Sequence, residues 1–599
     1  NLIITVDNGI SAADEISYCS ELGIDVIVTD HHIPPETVPK CTAVVCHTVS
    51  NSQYPNSILC GAGIAFKLLH ALAGLEAAMQ YVSLAGLASV ADVVPLLDEN
   101  RVFVKLGLDA INSGNCCNGL YRLLNGVPTA RRPYNACTLG FAVAPRLNAS
   151  GRMSDASLGV ELFLCRDPNR ADEIIARLNK LNELRQQDEA NILNDAIRRL
   201  EPCDLSDTRA IVLRSETWNA GVIGIAASRI AEMYHRPTIL FSESDGILKG
   251  SARSIDGVNI HEVLCCCREF FVRFGGHAKA AGITMESAFF EDFRLKLNAC
   301  LKTGYDDSVF IPCKRYEFDI PLEQVTGELI AELTRLAPFG ESNPSPVFRS
   351  RHVAVSRLRR FGSDAQHTKM DVSPSISSSA APLDAVWFAS AASYYRLLNA
   401  DTVDMLYTPG INNWNGFDSI QLRVVSAKAE QPRDIDAYIE KGMRYFCNGL
   451  LENLSYRLSE PEQLPEICET TLAELCSRSI SGLLVLVFSV ESAKKILDEI
   501  RSSQIGNVDI CYSCVADSPV CCNTVLLAPQ LANLPAFGFS KVVFYDNPPC
   551  SGVYTAVSRR MSSASMLRMP CTNSDFGRVA LHFACDRDFM VCSYKLVQS

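Results

Sequence analysis

Two apolar runs in this chain each end in acids. Leu2-Ile3-Ile4-Thr5-Val6 leads into Asp7-Asn8-Gly9, and Ile24–Val28 leads into Thr29-Asp30-His31-His32. If the runs are neighbouring strands of a parallel sheet, both acids reach its carboxyl edge, where ligands bind in such folds. Asp7 and Asp30 would then share a partly desolvated crevice, and paired carboxylates repel unless a cation intervenes. Aspartate oxygens with one imidazole suit Mn²⁺ well and Mg²⁺ less naturally. A third acid, Asp92, closes the uncharged segment Ser83–Ala91 before Val93-Val94-Pro95, and burying it without a partner is costly. Singly, these motifs read better as a turn, a capping loop and a helix end. Together, Asp7, Asp30-His31-His32 and Asp92 supply the ligand set of a two-metal phosphoesterase.

Such a set needs a scaffold. Residues 1–165 alternate β-rich and helical patterns: a buried strand at Leu2–Val6, a helix at Ala12–Leu22, a strand at Ile24–Val28 and a helix at Ala62–Leu75. That order implies a parallel sheet with crossover helices. From Asp167 to Leu200 there is no Gly, and Ile174, Leu178 and Leu181 recur among charged residues, so one long connecting helix is expected. A second α/β unit follows, with strands at Ile211–Leu213 and Thr238–Phe241 and helices at Gly221–Tyr234 and Ile260–Phe271. Short strands from Tyr316 to Lys428, with a Ser-rich loop at Ser373–Ser379, suggest a small β-barrel. Beyond residue 434 the pattern returns to α/β, with apolar strands at Leu483–Phe488, Thr524–Leu527 and Val542–Tyr545.

Composition narrows the partners. The 599 residues are 48% hydrophobic and carry a net charge of −12, so bulk charge cannot hold the chain to a polyanion and any such grip must be local. Arg349, Arg351, Arg357, Arg359 and Arg360, followed by His367 and Lys369, form one local basic stretch in the barrel segment. The longest apolar stretch, Gly482–Val490, falls short of the ~20 residues a membrane helix needs. The 25 cysteines include Cys265-Cys266-Cys267, Cys116-Cys117 and Cys521-Cys522 but no opposed Cys-x-x-Cys pairs. They read as small buried hydrophobes in a reducing cytoplasm rather than as a zinc site.

The motifs carry a family resemblance. Val6-Asp7-Asn8-Gly9, Thr29-Asp30-His31-His32 and Val90-Ala91-Asp92-Val93-Val94-Pro95-Leu96 resemble motifs two to four of the DHH phosphoesterases. The match continues through Pro145-Arg146-Leu147-Asn148-Ala149-Ser150-Gly151-Arg152-Met153. Gly250-Ser251-Ala252-Arg253-Ser254 and Phe274-Gly275-Gly276-His277-Ala278-Lys279-Ala280-Ala281-Gly282 resemble the associated DHHA1 domain. In this order they are similar to the RecJ family of single-strand-specific 5′→3′ DNA exonucleases. The resemblance implies an α/β fold: a parallel-sheet DHH domain (1–165), a connecting helix (166–205), a DHHA1 domain (206–305), an OB-type barrel (315–430) and a C-terminal α/β domain without assigned chemistry (434–599).

The same resemblance implies roles. Asp7, His31 and Asp92 would ligate Mn²⁺ or Mg²⁺ in a two-metal site, with His32 and Asp30 as the catalytic pair and His32 facing the scissile phosphate. Successive residues leaving a strand point to opposite sides, which would give each histidine its own role. Arg146, Asn148 and Arg152 would contact phosphate. Ser251 and Arg253, alternating on one strand face, would hold a terminal 5′ phosphate. Gly275-Gly276-His277 would let backbone N–H groups approach a phosphate. The basic barrel, with Trp414 in Asn412-Asn413-Trp414-Asn415-Gly416, would track single-stranded DNA. Single-strand-binding protein and other repair proteins are candidate partners, the cytoplasm is the expected location, and no membrane association is expected. The family's first motif, an Asp-x-Asp strand preceding Leu2, is missing, so the metal site is expected to be incomplete and the chain as given to be a poor nuclease. Cys46-His47 also departs from the family's usual Asn-Pro turn. Two other readings stand beside the exonuclease: a non-catalytic DNA-binding scaffold, and a phosphodiesterase of nanoRNA or cyclic dinucleotides.

Overall fold

β-branched residues on either side of a short helix build the sheet that matters here. In the computed structural model, β1 (Leu2–Val6), β2 (Asp25–Thr29) and β3 (Ala43–Val45) form a three-stranded parallel sheet in that order. Val6 stands opposite Thr29, so β1 and β2 end level and release Asp7 and Asp30 at the same edge. Val26 and Val28 pack with Ile10 and Ile16 beneath the sheet. Leu2 is 54% and Ile4 44% exposed, where burial was expected; among the described residues β1 pairs with β2.

The structure describes residues 1–570 except 129–131, 201–207, 363–364, 391–393, 395–396, 399, 415–416, 431, 433, 455, 457–464, 469, 479–481, 504, 506–507, 514–522, 535–538 and 562–563. The described residues fall into two units, Asn1–Gln187 with Ala331–Pro346, and Asp188–Ile330 with Val347 onward. In the first, the sheet is followed by helices around a core that includes Leu87, Val104, Leu120, Leu123, Val143 and Leu178. The helix expected at 62–75 runs Gly61–Ala73 and stops at Gly74, whose φ of +84° breaks it before a short helix at Leu75–Met79. Val82–Ala91 and Asp98–Ser113 pack so closely that a Cβ on Gly86 would lie 2.7 Å from the Phe103 carbonyl oxygen. That contact fixes the helix whose end carries Asp92. Ala331–Pro346, placed by sequence with the barrel, belongs to this unit: Leu96 N–H donates to the Glu341 carbonyl (2.8 Å), and Arg101 donates to those of Leu336 and Ala337 (3.1 Å each).

The long helix is present as Pro168–Leu200. In the second unit, β4 (Ile211–Ser215), β5 (Thr238–Ser244), β6 (Ile247–Arg253), β7 (Phe271–Gly276) and β8 (Ala280–Glu286) form a mixed sheet in the order β4-β5-β6-β8-β7. The helix expected at Ile260–Phe271 is overturned: it ends at Cys265, and Phe271 begins β7. Ile260, Val263, Leu264 and Cys267 do keep helical spacing in the core, but Phe271 and Phe274 pack as strand residues, Phe271 against Phe293.

The barrel is present. β10 (Phe348–Phe361), β11 (His367–Ser373), β12 (Leu383–Trp387), β13 (Thr402–Trp414) and β14 (Phe417–Ala429) close through the β10–β11 pairing, and the short β9 (Phe318–Asp319) adds beside β10. The C-terminal α/β fold is also present, as a parallel sheet whose central strand, Leu483–Val487, is buried at every residue, as both-face coverage requires. The cysteines meet expectation in part: Cys267 is buried but Cys265 and Cys266 are exposed, and Cys521-Cys522 lie outside the described residues. Among the described residues, no helix is long and apolar enough to cross a membrane.

Candidate metal centre and phosphate-binding residues

The level ends of β1 and β2 put Asp7 and the Asp30-His31-His32 turn side by side. Asp7 adopts a left-handed conformation (φ +64°) and its N–H donates to the Thr29 carbonyl at 3.0 Å. His31 Nε2 lies 3.1 Å from Asp7 Oδ1 and 3.6 Å from Asp92 Oδ2. Asp92 arrives at the end of Val82–Ala91, so three distant segments converge on one imidazole. The hydrogen bond to Asp7 raises the His31 pKa above the ordinary histidine value; desolvation opposes this and the charge of Asp92 adds to it. Desolvation raises the Asp92 pKa; the charge of His31 opposes it and that of Asp7 adds to it.

Asp30 does something else. It is 1% exposed, and its carboxylate accepts hydrogen bonds from the N–H groups of Ile10 (3.0 Å), His31 (2.8 Å) and His32 (3.2 Å) and from His32 Nδ1 (2.6 Å). Burial pushes its pKa up, but the Ile10 bond, the His32 ring and the two remaining N–H groups together hold it below the usual carboxylate value. Asp30 therefore stays ionised but is held by hydrogen-bond donors from Ile10 and from its own turn, rather than by a cation shared with Asp7. Since a carboxylate only accepts, Nδ1 of His32 carries the proton and Nε2 is left outward.

The expectation that His31 and His32 point to opposite sides also fails. Their ring centroids are 4.5 Å apart, and Asp7, His31 and His32 each offer a ligand atom within 4.8 Å of the others. β2 ends at Thr29, so strand alternation no longer applies where the histidines sit. The donor set, one carboxylate and two imidazoles with Asp92 beside them, fits a divalent cation. Sequence reasoning missed Gly61: a Cβ there would lie 2.4 Å from Asp7 Oδ1. Its signal was a glycine at a helix start, Cys60-Gly61-Ala62-Gly63, the kind of position where a backbone approaches closely.

Arg146, Asn148 and Arg152 lie on one helix, Ala144–Met153. At 3.6 residues per turn, Asn148 and Arg152 share a face, whereas Arg146 stands roughly 200° away from Asn148. Arg146 donates to Asn179 Oδ1 (2.7 Å) and to the Ala142 carbonyl (2.5 Å), and burial lowers its pKa. The structure therefore groups two of the three and ties the third to the long helix.

In the second unit, Ser251 and Arg253 share a face of β6, with Arg253 NH1 donating to Ser251 Oγ at 2.9 Å. Ser251 is in register with Gly282, and Gly282 with Gly275, so the DHHA1-like motifs meet across three strands. Gly276 (φ +151°) is sterically required, since a Cβ would lie 2.3 Å from the Ala280 carbonyl oxygen. The His277 N–H, expected to be available to a phosphate, donates instead to that carbonyl at 2.8 Å, because the chain turns tightly there. Gly224, also missed, opens the helix Ile223–Tyr234 against this pair: its Cβ would lie 2.8 Å from both Ser251 Oγ and Arg253 NH2.

The barrel's basic stretch is largely internally paired: Arg349 with Asp404 (2.7 Å), Arg351 with Asp319 (3.0 Å), Lys369 with Asp384 (2.9 Å) and Arg357 with Asp371. Arg359 and Arg360 are exposed. The Trp414 side chain, Asn415 and Gly416 lie outside the described residues.

Three family models match the chain: the DHH family N-terminal domain over residues 1–91, the DHHA1 domain over 207–303 and the RecJ OB domain over 316–426. The single-stranded-DNA-specific exonuclease RecJ of Bacillus subtilis is 37% identical over 433 residues, 72% of this chain and 54% of the relative. The Haemophilus influenzae enzyme of the same name is 33% identical over 71% of this chain and 76% of its own length. This chain thus spans about half of the first relative and three quarters of the second. The crystal structure of RecJ in complex with Mn²⁺ from Thermus thermophilus aligns with a TM-score of 0.59 at 27% identity, covering 88% of this chain and 73% of that one.

Proposed function

This chain belongs to the RecJ family of single-stranded-DNA-specific exonucleases, and from that premise we propose that it hydrolyses phosphodiester bonds of single-stranded DNA from the 5′ end, in repair and recombination. The observation that carries the proposal is the approach of His31 Nε2 to both Asp7 and Asp92, 3.1 and 3.6 Å away. Asp7, His31 and Asp92 would hold a divalent cation, Mn²⁺ or Mg²⁺, with His32 within reach of it. Bound there, such an ion polarises a phosphoryl oxygen and makes a bound water more acidic.

The remaining roles belong to the chain's own side chains. Asp30 locks the His32 tautomer through the 2.6 Å bond to Nδ1, which orients Nε2 toward a phosphate oxygen and stabilises the ring when it is protonated. Arg253, with Ser251 beside it, presents a forked guanidinium suited to a terminal 5′ phosphate. Asn148 and Arg152 offer a second phosphate contact. The barrel guides the strand, the cytoplasm is the place of action, and single-strand-binding protein is a candidate partner.

The test is a release assay with 5′-phosphorylated single-stranded DNA and Mn²⁺. Mononucleotide release from the 5′ end, however slow, with little from duplex DNA and with loss of release in Asp92→Asn, is expected. Binding without cleavage under every divalent cation would instead support a scaffold, and faster hydrolysis of a dinucleotide than of a long strand would support a small-substrate phosphodiesterase.

A further inference from the structure

A second cluster of ligand-type side chains lies in the other unit, at one end of the barrel. His352 on β10, Asp404 on β13 and Glu430, just past β14, each place a ligand atom within 4.8 Å of the others. His352 sits where the β10–β13 register shifts, between Ser350 and Val353, and adopts φ +56°. A bulge re-aims a side chain, and a left-handed conformation is uncommon for a residue other than glycine. Here the ring is turned onto Glu430, with Nδ1 2.5 Å from Oε1.

Each carboxylate is anchored on its outer oxygen; the inner oxygen of Glu430 meets the His352 ring and that of Asp404 accepts no hydrogen bond from the described residues. Thr402 Oγ1 donates to Glu430 Oε2 at 2.6 Å, and Arg349 donates to Asp404 Oδ2 at 2.7 Å. Arg349 also reaches Asp319 and the Tyr316 hydroxyl. Asp404 Oδ1 is out of contact with solvent and accepts no hydrogen bond from any described residue. A buried carboxylate oxygen without a hydrogen-bond donor is costly, and a bound cation would relieve that cost. Outer oxygens anchored by Thr402 and Arg349, with the inner oxygens turned toward the His352 ring and one another, are the arrangement by which neighbouring groups orient metal ligands. Beside the cluster opens a cavity of about 260 Å³, lined by three acids, Asp404, Glu430 and Asp509, and by one base, Lys428, which stands opposite Asp404 in the sheet.

We propose that His352, Asp404 and Glu430 form a Zn²⁺ site, separate from the centre at Asp7, His31 and Asp92, that pins the β10 bulge to β13 and the end of β14. One imidazole and two carboxylates, with a position left for water, is a donor set zinc accepts. Zinc takes the place of the proton between His352 Nδ1 and Glu430 Oε1: an imidazolium gives that proton to solvent, whereas a neutral ring moves it to Nε2, so in either case the ligating imidazole keeps one proton, on Nε2.

The experiment removes the first centre with Asp7→Asn and His31→Ala, strips the protein with a chelator and dialyses it against Zn²⁺. One zinc per chain is expected to remain, with a raised thermal unfolding midpoint. X-ray absorption is expected to show nitrogen and oxygen neighbours without a sulfur shell, the control needed because the chain has many free cysteines. Adding Glu430→Gln or His352→Asn is expected to weaken Zn²⁺ binding at least about tenfold, the lower end of what loss of even an orienting partner costs, with an unchanged far-ultraviolet circular dichroism spectrum. Glu430→Gln keeps the Thr402 bond and the side chain's shape, so it decides if His352→Asn misfolds. Absence of bound zinc, zinc bound through sulfur, or zinc retained undiminished in Glu430→Gln overturns the proposal.

Discussion

Asp7 and His31 are pressed together by backbone geometry before chemistry is considered. The left-handed φ of Asp7 and the bare Cα of Gly61 bring a carboxylate to the imidazole at 3.1 Å, and that contact fixes a sign for pH dependence. Because Asp7 raises the His31 pKa, chelator-treated protein keeps His31 protonated above the ordinary histidine value of about 6.5. The ion pair's stabilisation is full below that value and is lost as pH rises through the raised pKa. A ligand must be deprotonated, so metal affinity runs the other way. Calorimetric titration with Mn²⁺ is expected to show affinity increasing with pH and levelling off above the raised pKa, with proton release on the acid side; an affinity flat across that window would contradict it. Gly61→Ala is expected to weaken Mn²⁺ binding about tenfold or more, as displaced ligands do, while leaving urea-unfolding slopes unchanged.

At the scale of elements, the site depends on which segments end where. β1 and β2 end in register, and the helix carrying Asp92 is seated by the Gly86–Phe103 approach of 2.7 Å. Gly86→Ala is therefore expected to cost about 1–3 kcal/mol in denaturant unfolding, the usual penalty of overpacking, and to weaken Mn²⁺ binding through Asp92. Loss of stability with unchanged metal affinity would show that the helix pair does not set the site. Element by element, the sequence was a good guide wherever periodicity was uninterrupted: Leu2–Val6, Pro168–Leu200 and the strand at Leu483 appear nearly as expected. It misled at Ile260–Phe271, where apolar spacing ran on past the helix end at Cys265 into β7.

For the whole molecule, a net charge of −12 leaves the proposed nucleic-acid binding to local cations, and four of those in the barrel are paired with aspartates. Arg349, Arg351, Arg357 and Lys369 are each paired within the barrel region. Releasing counterions from single strands contributes roughly −0.7 per neutralised phosphate to the log–log salt slope, so the exposed Arg359 would contribute about −0.7, while Arg360 lies over the Tyr394 ring. Arg359→Ala is expected to flatten the slope of single-stranded DNA binding by about 0.7, and Arg357→Ala to change it little. Equal effects from both would mean that the Arg357–Asp371 pair opens on DNA.

What the sequence by itself determined is what lies close along the chain: the strands, the long helix, the order of units, and the short motifs that hold Asp7, Asp30-His31-His32, Asp92, Ser251 and Arg253. Strand and helix periodicities and motif spacing are local properties, so a linear reading captures them. Only the tertiary structure decided that Asp30 is taken up by the Ile10 N–H and by its own turn, that the two histidines lie on the same side, and that Arg146 turns away from Asn148. His352, Asp404 and Glu430 are separated by dozens of residues and share no motif, so nothing short of folding brings them together. Each of these facts depends on which neighbour supplies a donor, a wall or a register, and neighbours distant in sequence are chosen by packing.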